Sequence, residues 1–262
     1  MLRNLAVLLF GCCLISIASA QDAGAKKDEG AKADKAKSGD LTDPTEILKK
    51  ADEACKAVKF VKYTVSAKAT GTGDARAPAV DGTVIQQGFK MNLPEKWHCD
   101  LKAKQADSEE TKHVILGFDG KEFYVIDPEK KIAYVDIDPA VLGSARIYLP
   151  SSVMAELGHE RPFADEIAGD KKELRGTTKV GDEECYEVYV KYAGQPQEVT
   201  WFISKKDFLP RRADRDLPPG QNNEPRKLQT IVTALTVDPK FDKDPFKFEL
   251  PEGYTKSGDF AP

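Results

Sequence analysis

The sequence predicts an α+β protein built on a curved antiparallel β-sheet with helices on one face. Three observations carry this. An amphipathic helical pattern near the start gives way at Lys59 to a period of two. Short alternating segments then recur, divided by turn signals such as Asp119-Gly120. A second helical stretch, residues 139–158, interrupts them midway. Strands joined by short turns, with helices at the start and middle, favour an antiparallel sheet that buries one face under the helices. Such a sheet can act as a half-open container for apolar material.

The first twenty residues read as a secretion signal. Arg3 supplies a basic start, residues 5–17 an apolar run, and Ala18-Ser19-Ala20 a small-residue cleavage site. A periplasmic or secreted location follows. Leu9-Phe10-Gly11-Cys12 also resembles a lipobox, which would put a lipid anchor on Cys12. Phe10 and the apolar run beyond Cys12 argue for the cleaved reading. Losing Arg3 with the signal takes the formal net charge from −4 to −5. The 39 basic and 43 acidic side chains are interspersed, so no basic face for nucleic acid is implied.

Residues 21–43 hold Ala, Gly, Lys, Asp and Glu and almost nothing apolar, so a disordered charged linker is expected there. Residues 44–256 are the expected folded domain. Asp43 is a good N-cap and Pro44 suits the first helical position. Ile47, Leu48, Ala51, Cys55 and Val58 then share one helical face, predicting a helix over 44–58.

Tyr63, Val65, Ala67 and Ala69 alternate with polar residues in the first strand. Residues 71–82 read as a loop. Strands follow at 83–91, 96–103, 113–118, 121–127 and 131–137. In the third, Trp97, Cys99, Leu101 and Ala103 share a face. Residues 139–158 predict one or two short helices around Pro150. Strands resume at 171–179, 184–192, 197–204 and 209–215. Residues 218–223 read as a loop, and strands at 227–236 and 245–250 end the domain.

Three cysteines survive removal of the signal: Cys55, Cys99 and Cys185. An odd number allows at most one internal bridge, so the fold must rest on its apolar core. If a bridge forms, Cys99–Cys185 is the expected pair.

Signals for chemistry are sparse. His98 and Cys99 are adjacent on a strand and so face opposite ways, and His113 and His159 have no partner at a ligand spacing. No nucleophile elbow, phosphate loop, dinucleotide fingerprint or zinc-protease motif is present. No catalytic residue, metal or cofactor is implied. Arg211, Arg212 and Arg215 could bind an acidic group, but on an edge strand they would more often be solvated or paired with Asp214 and Asp216. What remains is apolar and aromatic material on strands. Trp97, Leu101, Phe123, Val125, Trp201, Ile203 and Ile231 are the candidates to line a cavity. For any one of them, ordinary core packing is the simpler reading.

Several segments together resemble a known family. They are residues 51–65, 118–128 (Phe118 to Pro128), 181–190 with Cys185-Tyr186, 201–211 (Trp201 to Arg211) and 244–253 (Asp244 to Gly253). In this order they look like the LolA/LolB superfamily of periplasmic lipoprotein carriers and its uncharacterised relatives. The resemblance covers residues 44–254. It implies a half-barrel whose concave face is crossed by helices acting as a lid, with an apolar cavity for the acyl chains of a lipid or acylated lipoprotein. It implies neither catalysis nor a cofactor. The chain departs from the carriers in its long charged linker and in Lys96-Trp97-His98-Cys99, where the carriers' functional arginine has no counterpart. The expected function is therefore a non-enzymatic lipid or lipoprotein binder. The alternative is a module on the same fold that binds an envelope protein partner or senses envelope stress; a hydrolase is a third class.

Overall fold

The computed structural model describes residues 40–71, 78–89, 94–105, 108–217, 226–259 and 261. The expected signal sequence, Cys12, the linker up to residue 39 and the expected loop at 218–223 lie outside those residues. At Asp40 the chain already touches the sheet. Lys205 Nζ pairs with Asp40 Oδ1 at 2.8 Å, and the Leu41 N–H donates to the Tyr186 hydroxyl at 3.2 Å.

Helix α1 spans Pro44–Ala57. The Asp43 carboxylate accepts the Thr45 N–H at 2.8 Å, which satisfies an orphan donor of the first turn. Ile47, Leu48, Ala51 and Cys55 are fully buried, while Lys49, Lys50 and Glu53 face solvent. The helix stops at Val58, where the backbone turns extended.

Two antiparallel meanders make the sheet. The first holds β1 (Phe60–Gly71), β2 (Ala79–Gln87), β3 (Lys96–Lys104), β4 (Thr111–Phe118), β5 (Phe123–Asp127) and β6 (Ile132–Asp136). The second holds β7 (Lys171–Val180), β8 (Glu183–Lys191), β9 (Glu198–Ser204), β10 (Pro210–Leu217) and β11 (Arg226–Val237). β1 pairs with β11, with Val65 opposite Val232, so the meanders join into one sheet. A short β12 (Thr255–Ser257) adds in parallel beside β6. The order is β12-β6-β5-β4-β3-β2-β1-β11-β10-β9-β8-β7. The result is the curved α+β half-barrel that the sequence predicts.

This order dictates where the helices go. β6 lies near one edge and β7 is the other. The chain between them must cross the whole sheet, and it crosses the inner face. A 3-10 segment, Pro139–Tyr148, lies against β4, β5 and β6. Helix α2, Leu149–Ser152, sits over β1, β2 and β11, and α3, Ala164–Ile167, packs on α1. Gly143 breaks the 3-10 segment at φ 50°; the Ala261 carbonyl oxygen lies 1.7 Å from where its Cβ would be, so only glycine fits. The Ala261 N–H donates to Val141 O at 2.9 Å, tying the end of the chain to the crossing segment.

Three sequence expectations need correction, and one short helix, α3, has no helical periodicity long enough to be predicted. β2 begins at Ala79, inside the expected loop. Residues 245–250 are not a strand: Pro245 and Pro251 lack the N–H groups a ladder needs, and the Phe246/Phe248 alternation instead docks rings on the outer face. Phe246 meets Phe60 with ring centroids 5.6 Å apart, and Phe248 meets Tyr124 at 5.3 Å. Cys99 and Cys185, the pair expected if any bridge formed, are not bonded. Cys99 lies in the inner core and Cys185 with Val180 and Phe202 in a separate cluster, so all three cysteines are free.

Candidate functional site

The floor of the inner face is apolar. Trp97, Leu101, Val125, Trp201 and Ile203 are all buried in the main core. Phe123 is half-buried against the same core and stacks on Phe118 at 4.3 Å between centroids. Ile231 does not join them. It lies opposite Ser66 and Arg212 and packs with Val180, Cys185 and Phe202 in the separate cluster. Above the floor, Met154, Leu157 and Phe163 of the crossing segment are fully buried, with the Phe163 and Trp201 rings edge to face at 4.9 Å. The space between sheet and crossing segment is thus filled by side chains.

Directed polar contacts hold the crossing segment down. Tyr63 and Gln86 stand on the inner face at positions in phase with Val61, Val65 and Val84. The Tyr63 hydroxyl accepts the Met154 N–H at 2.8 Å, and lies 3.1 Å from Gln86 Oε1 and 3.2 Å from Ser152 O, which share its proton. Gln86 Nε2 donates to Leu157 O at 2.8 Å and to Met154 O at 3.3 Å. Irregular backbone buried over an apolar floor needs such partners. Burial raises the Tyr63 pKa well above the usual phenol range, so its hydroxyl stays neutral and can both donate and accept.

A second group of pins runs through acidic side chains and Arg215. Arg215 Nη2 donates to Glu156 Oε1 at 2.8 Å, with its guanidinium 4.7 Å over the Trp201 ring. Glu166 on α3 accepts from the Tyr192 hydroxyl at 2.7 Å and from Trp201 Nε1 at 3.3 Å, both through Oε1. Burial pushes the Glu166 carboxyl up to about 7; the Tyr192 hydrogen bond pulls it back and the Glu156 charge adds to the rise. On α1, Asp52 Oδ1 accepts the Phe163 N–H at 3.1 Å while Oδ2 pairs with Lys56.

The expected role of the arginines also changes. β10 is an interior strand between β9 and β11, not an edge. Arg212 does pair with Asp214, at 2.5 Å, and Asp216 pairs with Lys227 instead of an arginine. Arg211 is buried against Asp207 at 2.6 Å and Glu183 at 2.9 Å. Arg215 alone of the three reaches the crossing segment. The sequence does not single out Gln86, and it names Arg215 only among edge-strand arginines, not on the inner face. The signal was a polar side chain in phase with apolar inner-face neighbours, Val84 for one and Ala213 for the other.

The histidines are engaged elsewhere. His98 Nδ1 lies 2.8 Å from the Tyr124 hydroxyl, and His113 Nε2 lies 2.7 Å from Asp100 Oδ1. Among the described residues no group of His, Cys, Asp and Glu is placed to hold a metal ion. No helix among them is long and apolar enough to cross a membrane.

No protein-family model and no curated protein sequence matches the chain. Solved structures do resemble it. LprF from Mycobacterium bovis is 13% identical, over 78% of this chain and 97% of that one, with a TM-score of 0.47. The lipoprotein LppX from Mycobacterium tuberculosis is 12% identical, over 76% and 97%, at 0.44. A LolA superfamily protein from Nitrosomonas europaea is 12% identical, over 80% and 99%, at 0.31. At these identities and TM-scores the likeness assigns this chain neither a family nor a role.

Proposed function

We propose that this chain is a non-enzymatic binder of lipid acyl chains or an acylated lipoprotein outside the cytoplasm, in the manner of a lipoprotein-sorting carrier. One observation carries the reading. A continuous apolar floor lies under a cover that packs on it through Met154, Leu157 and Phe163 and is pinned by exchangeable hydrogen bonds with Tyr63, Gln86 and Arg215. Releasing the cover would present Trp97, Leu101, Val125, Trp201 and Ile203 to an apolar cargo. Cargo gains roughly 25 cal/mol per Å² of apolar surface removed from water, so an acyl chain needs no polar contact to bind usefully.

Titration with dansyl-undecanoic acid methyl ester, an uncharged fluorescent acyl probe, tests this. Saturable binding that changes little between low and moderate salt is expected, because apolar burial is not screened. A second reading has its own support, since Phe163, Met154 and Leu157 fill the interior. It is a protein-interaction module whose interior stays closed. Absence of saturable probe binding would favour it and set aside the lipid reading.

A further inference from the structure

We propose that Glu156 occupies the place of an anionic head group in this structure, and that the cargo is an anionic amphiphile whose phosphate or carboxylate replaces the Glu156 carboxylate on Arg215. This rests on the container reading above and names the class of cargo.

The arginine is out of keeping with its surroundings. Arg215 faces inward from β10, paired across the sheet with Val199 on β9 and Leu228 on β11, both buried. Its polar contacts from the guanidinium run to the crossing segment: Glu156 Oε1 at 2.8 Å and Met154 Sδ at 3.8 Å. The part of the molecule that must move to admit cargo is therefore the part that carries its counter-ion. Moving the cover without replacing that carboxylate would leave a cation over the Trp201 ring with no ionic partner, which is costly at a partly desolvated site. An anion arriving with the cargo removes that cost.

The existing pair is also incomplete. An arginine fork favours two parallel bonds to a carboxylate or phosphate. Here Glu156 is bound through Oε1, and its Oε2 is buried with no hydrogen-bond partner among the described residues. A tether within the chain thus holds the carboxylate in a poorer arrangement than a free head group could take. The Arg215 side chain keeps 27% of its surface exposed, so a head group can approach it from solvent, and an acyl chain would extend over Trp201 once the cover is displaced. Glu166 and Tyr192 are the other titratable groups near Arg215, and the burial that keeps Glu166 protonated up to about neutral pH limits its competition for the guanidinium.

The test compares dansyl-undecanoic acid with its methyl ester in the full chain, in Glu156→Gln and in the double variant Glu156→Gln/Arg215→Gln. The wild-type protein should bind the acid more tightly than the ester. Glu156→Gln, which removes the internal competitor, should widen that ratio by roughly tenfold, the scale of one charge-assisted hydrogen-bonded pair. The double variant, which leaves no unpaired charge, should bring the ratio to about one. A ratio unchanged across the three proteins overturns the inference and leaves the container reading standing. Saturable binding of neither probe overturns both. Inorganic phosphate distinguishes a head group from a free anion: phosphate alone should compete only weakly, and competition as strong as that of the acid overturns the amphiphile assignment.

Discussion

Leu48→Asp is expected to lower the unfolding free energy by about 4 kcal/mol or more, enough to unfold much of a marginally stable domain. Leu48 is fully buried on the inner face of α1, in one cluster with Ile47, Ala51 and Cys55 and the sheet residues beneath. The substitution removes apolar burial and inserts a carboxylate with no cation provided for it. Lys49→Asp, one residue along on the exposed side, should change stability by no more than about 0.5 kcal/mol. Urea unfolding of the two variants beside wild type checks this. Equal midpoints for all three would mean that α1 does not pack on the sheet.

Glu166 gives the second large effect, and its sign is opposite to that of an ordinary surface carboxylate. The folded state raises its pKa from the ordinary carboxyl value of 4.5 to about 7, chiefly through burial. The neutral form is therefore the one the fold favours. Its stabilising contribution is complete below about pH 4.5 and is lost as pH rises through about 7. Above that, the buried charge costs about 3 kcal/mol relative to a neutral group. Glu166→Gln keeps an oxygen to accept from Tyr192 and Trp201 and removes the charge. It should stabilise the protein at pH 8 by up to about 3 kcal/mol and change little at pH 4. Denaturant unfolding at the two pH values reads this directly. Parallel pH profiles for wild type and variant would show that Glu166 is not the buried acid described.

Much of the fold was legible because it is written in local patterns. Asp43-Pro44 and the spacing of Ile47, Leu48, Ala51 and Cys55 define α1. The alternation of Trp97, Cys99, Leu101 and Ala103 defines the inner face of β3. What the sequence did not show depends on partners far along the chain. β10 is interior because it pairs with both β9 and β11, so Arg215 does not lie on the edge strand the sequence suggests. The parity of Ile231 is fixed by its place opposite Ser66 and Arg212, which no local pattern reveals. Tyr63 and Gln86 look like ordinary strand residues until the backbone of residues 152–157 arrives above them. Residues 245–250 alternate like a strand, but the prolines at 245 and 251 leave Phe246 and Phe248 lying on the sheet and not in it.

The β1–β11 seam has a consequence for how the chain assembles. Both strands are twelve residues long, one at 60–71 and the other at 226–237. Bringing such distant segments together carries a loop-closure entropy that grows with the logarithm of their separation, and the contacts reward it only once the seam is made. During synthesis the first strand of the chain waits for the last long one, with one row of its backbone N–H and C=O groups unpaired. Lys62, Thr64, Ser66 and Lys68 line the outer side of that waiting strand. Polar and lysine-bearing edges of this kind resist pairing between copies. Residues that look like mere surface in the finished sheet thus also guard the chain while it is incomplete.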